Sequence, residues 1–201
     1  MKSRMNSTKG LTLIELTVVM CILGVMVLIS IPNIGRWIPR YRLRGATRDL
    51  ASSMQLARLG AIKDNRKWGI VFDINNETYR ILSDDGGDDA WGTADDVGFK
   101  GDTIATNWQL STRSLAAYRN VSLGDNGYGN WPSGNPVGDG VTFANDWIEF
   151  KPDGTAGPEV NGIVGSVYLR NNRGDAACVR VRFSATGGIE VLHWDGDSWE
   201  P

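Results

Sequence analysis

Six aspartates, Asp84, Asp85, Asp88, Asp89, Asp95 and Asp96, fall within 13 positions of the segment DDGGDDAWGTADD. Carboxylates are hard oxygen donors, and glycine turns let a backbone gather the ~6–8 oxygens that Ca²⁺ takes. The segment lacks the terminal Glu of an EF-hand loop and no helix pair flanks it. Ca²⁺ binding therefore competes with a solvated acidic loop, which like-charge repulsion would hold extended without metal. No other cofactor is expected. His193 is the only histidine, so any Ser-His-Asp or Cys-His centre would have to be built around it. No nucleophile elbow accompanies it. Neither an HExxH pattern nor a GK[ST] phosphate cradle occurs, and GYGNWPSGNPVGDG has only the glycines of one. The chain is read as not an enzyme, with His193 at a strand end. Trp91, Trp108, Trp131, Trp147, Trp194 and Trp199 are read as core packing and loop anchors, with a sugar- or partner-stacking surface as the alternative.

Glu15 poses a different problem. It is the one charge in LTLIELTVVMCILGVMVLISI, residues 11–31. A carboxylate in a bilayer costs about 2.5–3.5 kcal/mol at the centre and less near the interface, so it calls for a counter-charge or a function. A helix over residues 11–31 spans about 30 Å, the thickness of a bilayer's hydrocarbon core. A cleaved secretory signal has a shorter apolar stretch, and IPNIGRW is a poor cleavage site. A buried soluble helix is rarely apolar on every face. An ordinary single-pass anchor explains the length but not Glu15.

Past Pro32 the pattern turns amphipathic. Leu43, Leu50, Met54, Ala57 and Ala61 recur at helical spacing, with Arg44, Arg48, Asp49, Gln55, Arg58 and Lys63 off that line. This predicts one helix continuing to about residue 65, kinked or loosened at Pro32 and Pro39. The segments KWGIVFD and TYRIL around Asn75-Asn76 predict a hairpin. Further on, WIEF, VGSVYLR, ACVRVRF and GIEVLHW predict strands separated by PDG, NNRGD and ATGG turns. Alternation places Val179, Val181 and Phe183 toward a core and Arg180 and Arg182 outward. Residues 83–145 are rich in Gly, Asn and Asp. Because so long a structureless loop is improbable, residues 103–110, 115–123 and 141–143 are expected to add strands. The fold class is α+β: a long N-terminal helix, transmembrane then amphipathic, packed on a mainly antiparallel sheet.

Composition agrees with one domain plus an appendage. The chain has 201 residues, 25 Gly and 8 Trp, which suits a loop-rich β domain. Its 21 basic and 23 acidic residues give a charge of −2. That balance, with the arginine-free tail HWDGDSWEP, does not suggest a nucleic-acid binder. Arg36, Arg40, Arg42, Arg44 and Arg48 are read as a solvated, partly membrane-proximal face. Cys21 lies in the apolar run and Cys178 in a strand pattern, so no intrachain disulfide is expected.

The N-terminal residues MKSRMNSTKG-LTLIEL, with Glu15 at the fifth position after Gly10, resemble the type III signal of type IV prepilins. The resemblance implies that prepilin peptidase cuts between Gly10 and Leu11 and methylates the Leu11 amine. It also implies that Glu15 pairs with that amine on a neighbouring subunit. Pro32 and Gly24 fall where pilins often have them, Pro32 as a helix kink. Removal of Lys2, Arg4 and Lys9 would take the formal charge from −2 to −5. Counting cations across the span points the opposite way, because five arginines follow it and three cations precede it. The processing motif outweighs that count, since the resemblance implies that the arginines belong to a helix running on into the periplasmic domain.

The order of a long helix containing DLASSMQLARLGAI, a hairpin, WIEFKPDGTA and a VRVRF-ATGGIEV pair is similar to the GspH/FimT family of pseudopilins and minor pilins. That resemblance implies a leader over residues 1–10, a transmembrane and assembly helix over 11–31, and its amphipathic continuation over 32–65. A periplasmic β-rich domain follows over 66–201, with a variable region at 83–146. It implies a structural subunit of a type IV pilus or type II secretion pseudopilus. The subunit would sit in the bacterial inner membrane and then in the filament, with other pilins, the peptidase and the membrane as partners and no nucleic acid. The alternative is a membrane-anchored periplasmic module binding a glycan or protein with Ca²⁺, outside any filament.

Overall fold

The apolar and amphipathic patterns join into one helix. The computed structural model describes residues 10–98, 112–124, 127–128, 131–132, 139–158, 164–182 and 184–201, with the side chains of residues 28–36 outside that set. Helix α1 covers Leu13–Asp64, 52 residues, and runs through Pro32 and Pro39 without a break. The chain forms two compact units divided between Ile38 and Pro39.

In the second unit, α1 turns one face inward. Leu43, Ala46, Leu50, Met54, Ala57 and Ala61 are buried, while Arg44, Arg48, Gln55 and Lys63 are exposed. The 3.6-residue period thus separates the faces as expected. Small residues on the buried stripe let strands approach closely. At Gly60 an added Cβ would lie 2.6 Å from the indole of Trp68, so only glycine seats that ring against the helix.

Strands β1 (Trp68–Asp73) and β2 (Thr78–Asp84) form the expected antiparallel hairpin, pairing Ile70 with Ile81 and Phe72 with Tyr79. The Asp73 carboxylate accepts from the backbone N–H and side-chain amide of Asn76, which fixes the turn. Strand β3 (Val97–Gly98) and then β4 (Thr112–Ser114) extend this sheet along β2. A short 3-10 turn at Leu115–Ala117 leads to β5 (Val121–Leu123). Strands β6 (Trp147–Phe150) and β7 (Ala156–Gly157) complete the order β3-β2-β1-β6-β7. The second sheet contains β8 (Gly165–Asn171), β9 (Ala176–Val181), β10 (Ile189–Trp194) and β11 (Trp199–Glu200), in the order β11-β10-β9-β8-β5. Every described strand pair is antiparallel. The middle region therefore supplies strands at residues 112–114 and 121–123, and a lone bridge joins Val141 to Val167. Residues 103–110 and Trp108 lie outside the described set.

The main core joins the α1 stripe to the inner faces of both sheets, including Ile70, Phe150, Val167, Val179 and Val181. Phe183, expected on that face, lies outside the described residues. The outer faces are covered as well. Trp91 and partly buried Trp147 pack over Val71 and Leu82, and Trp131 and Trp199 pack over Tyr168, Cys178 and Leu192. Arg180 projects to this outer face, as alternation predicts, but the cover keeps it from solvent. Its side chain is only 17% exposed, donates to the carbonyl of Pro132 at 3.1 Å, and pairs with Glu190 at 2.6 Å. The physical reason is the aromatic cover over β8–β10; Arg182, 54% exposed, does face out.

Candidate functional site

Three features could carry function: the N-terminal end of α1, the acidic loop, and a polar cavity beside β5.

Thr12 precedes α1, and its hydroxyl accepts from the N–H of Glu15 at 3.3 Å. A hydroxyl before the helix and a Glu three residues on is one half of a capping box, and the helix dipole favours a carboxylate in that first turn. Sequence reasoning missed this role, whose signal is the spacing Thr12-Leu13-Ile14-Glu15. Capping therefore gives Glu15 a local structural role besides any partner. The helix that follows is bare on every side: Leu11, Leu13, Ile14, Leu16, Val18, Met20, Leu23 and Met26 are all more than half exposed. An apolar helix without a stripe of polar residues has no orientation that water tolerates, so it needs an apolar surround. Among the described residues no helix is long and apolar enough to cross a membrane. The last residues of the expected span, from 28 on, have side chains outside the described set. Cys21 is exposed and Cys178 buried, and both are free thiols. Burial pushes the Cys178 thiol up to about 12, which leaves it unreactive.

The acidic loop leaves the end of β2 beside the C-terminal end of α1. Asp84 pairs with Arg66 at 3.0 Å. Lys67 lies among Asp85 at 3.4 Å, Glu149 at 3.7 Å and Asp89. The hydrogen bond to Asp89 raises the Lys67 pKa and depresses that of Asp89. The loop is folded rather than extended, because Trp91 pins it. Its indole lies where a Cβ on Gly69 would come within 2.5 Å, and its N–H donates to Glu149 at 3.1 Å. Asp88 accepts from the N–H of Ala90, and Asp95 from the hydroxyl of Thr93. Asp96 is fully buried. One of its oxygens accepts from the N–H of Gly92 at 2.6 Å, and the other has no hydrogen-bond partner among the described residues. Burial pushes its pKa up to about 6, against the pull of the Gly92 and Thr93 N–H groups. Among the described residues no three His, Cys, Asp or Glu side chains converge as a metal site would require. The structure thus places the six aspartates in one loop, with two of its cations supplied by Arg66 and Lys67.

At the opposite end of β1 and β2 lies a cavity of about 620 Å³ between the β1–β2 turn and the β5–β8 edge. Its wall includes Glu77, Arg119, Asn120, Ser122, Arg170 and Asn172. The Nε of Arg170 donates to the Ser122 hydroxyl at 3.3 Å, which holds the guanidinium along the strand. Sequence reasoning missed this cavity, since β5 could not be placed in the variable region. His193 stands half-buried on β10. Burial, then the charges of Arg44 and Arg48, lower its pKa. Of the tryptophans, Trp91 is buried, and Trp194 stacks on Tyr128 with ring centres 4.7 Å apart. Trp131 and Trp199 edge against Tyr168.

A family model described as "Type II transport protein GspH" matches residues 46–187. Among solved structures, the minor pseudopilin EpsH of the type 2 secretion system of Vibrio cholerae is similar, with 13% identity and a TM-score of 0.45. The match covers 76% of this chain and 97% of that one. No curated protein matches the chain.

Proposed function

The chain belongs to the GspH family of type II transport proteins, and from that membership we propose that it is a structural subunit of a type II secretion pseudopilus or a type IV pilus. In this reading it is made as an inner-membrane precursor, with α1 crossing the bilayer and the β-rich unit in the periplasm. Prepilin peptidase removes residues 1–10 and methylates Leu11. Other pilin-type subunits then surround the helix. The observation that carries the reading is the helix exposed on all sides from Leu11 to Val27. Lipid satisfies such a surface before assembly and neighbouring helices satisfy it afterwards. Glu15 supports the same account. Its carboxylate, one turn into the helix, suits a counter-charge arriving at the helix start, and the Leu11 amine of an adjoining subunit is that charge. Pro32 would loosen the helix at mid-length by removing one backbone donor.

The test compares Gly10→Leu and Glu15→Ala with the parent in the native envelope, scoring N-terminal processing and filament incorporation. Gly10→Leu is expected to block processing. Glu15→Ala is expected to leave the chain in the membrane but lower incorporation by about tenfold or more, the loss of a desolvated ion pair. Unchanged processing and incorporation in both variants would favour the anchored binding module instead.

A further inference from the structure

The second unit is electrically polar along α1. Its acidic loop sits beside the C-terminal end of the helix, tied there by Arg66–Asp84 and Lys67–Asp85. The β1–β2 turn with Glu77 lies at the other end, because Asp73 pairs with Thr78 there while Gly69 pairs with Leu82 near the acidic loop. Tyr118, which adjoins the cavity, lies against Gly45, where an added Cβ would meet its ring at 2.9 Å. Gly45 and Asp64 are separated by about 28 Å along a helix of ~1.5 Å rise. One end therefore carries a loop whose aspartates outnumber Arg66 and Lys67, and the other a cavity whose described lining holds Arg119, Arg170 and Glu77.

We propose that the cavity walled by Arg119 and Arg170 receives the turn at residues 86–89 from the acidic loop of a second copy of this chain, displaced along the helix axis. The turn is accessible for this: all four of its residues are exposed, and the Asp89 side chain stays 82% exposed although it pairs with Lys67. The cavity is shaped for it. Arg119 is exposed, Arg170 is oriented by Ser122, and Asn120 and Asn172 offer amide donors to carboxylate oxygens. Guanidinium binds carboxylate through paired N–H donors, which gives direction as well as charge. Glu77 disfavours a second, misplaced carboxylate. Docking of this kind fixes an axial stagger of about 28 Å between parallel copies. This inference rests on the filament reading for its biological setting, though the contact itself needs no filament.

The experiment uses the full chain in detergent micelles and a synthetic peptide of residues 83–92, with a matched peptide carrying Asn at every Asp. The acidic peptide is expected to bind, and to weaken as salt rises to ~0.5 M. The Asn peptide, and the acidic peptide on Arg119→Glu protein, are expected to bind about tenfold or more weakly. Equal binding of the two peptides, or no binding of either, overturns the proposal. A second arm does not depend on peptide affinity. In a Cys21→Ser background, chains with Arg119→Cys are mixed with chains carrying Asp88→Cys. A disulfide-linked pair should form well above that obtained with Asp195→Cys, and yields no higher than that control overturn the contact. Both arms are carried out without a filament, so they stand or fall separately from the Glu15 experiment.

Discussion

Gly60 and Asp96 show two kinds of constraint on single residues. Alanine is the better helix former by about 1 kcal/mol, yet Gly60→Ala sets a methyl 2.6 Å from the Trp68 ring. Overpacking of that kind costs about 1–3 kcal/mol, so the substitution is expected to lower stability despite its propensity, as measured by denaturant unfolding of the chain in detergent. Asp96 is held with its pKa raised from 3.8 to about 6, mainly by burial. A raised carboxylate pKa means that the folded state favours the proton. Its contribution to stability is therefore present below about pH 4 and lost as pH rises through about 6. His193 works the other way, since its lowered pKa costs stability as pH falls below 6.5. The informative quantity is thus the difference between parent and Asp96→Asn. That difference should grow in favour of Asn between pH 4 and 7; a pH-independent difference would contradict the assignment.

At the scale of elements, much of the chain was legible because periodicity reports burial. The stripe Leu43, Leu50, Met54, Ala57 and Ala61 is buried to a residue, and the hairpin and four later strands lie where alternation put them. The two faces of α1 supply a direct check. Met54 is fully buried, and Met54→Ala should cost about 2–5 kcal/mol. Leu59 is 63% exposed, and Leu59→Ala should stay within about 0.5 kcal/mol in the same unfolding measurement. Alternation put Arg180 on the correct face of β9, and only its exposure to solvent was misjudged, for a visible reason. Tyr168, Cys178 and Leu192 occupy outward positions of β8, β9 and β10, and apolar residues on both faces signal a sheet covered on both sides. The cover comes from Trp131 and Trp199, which are distant in sequence or beyond the last long strand, so a strand-by-strand reading could not supply it. The acidic loop misled in a related way. Its charge pattern suggested an extended segment, but Gly69, on the hairpin strand before β2, leaves room for Trp91 to fold the loop down. The cavity beside β5 was illegible because its walls come from three segments joined only by tertiary pairing.

For the whole molecule, the two units pose opposite solvation problems. Residues 39–201 bury a core shared by α1 and two sheets, with a second layer of tryptophans over each outer face. Residues 11–27 bury nothing. The folded unit can meet water, whereas the apolar helical segment calls for an apolar surround. How the helix begins is the central question, because the proposed cleavage after Gly10 would create the amine that Glu15 is proposed to meet. The decisive measurement is mass spectrometry of the N-terminal peptide of the protein recovered from its native envelope with the peptidase active. The account predicts a chain starting at Leu11 with a methylated amine. A chain still starting at Met1, or one cut elsewhere, would contradict it.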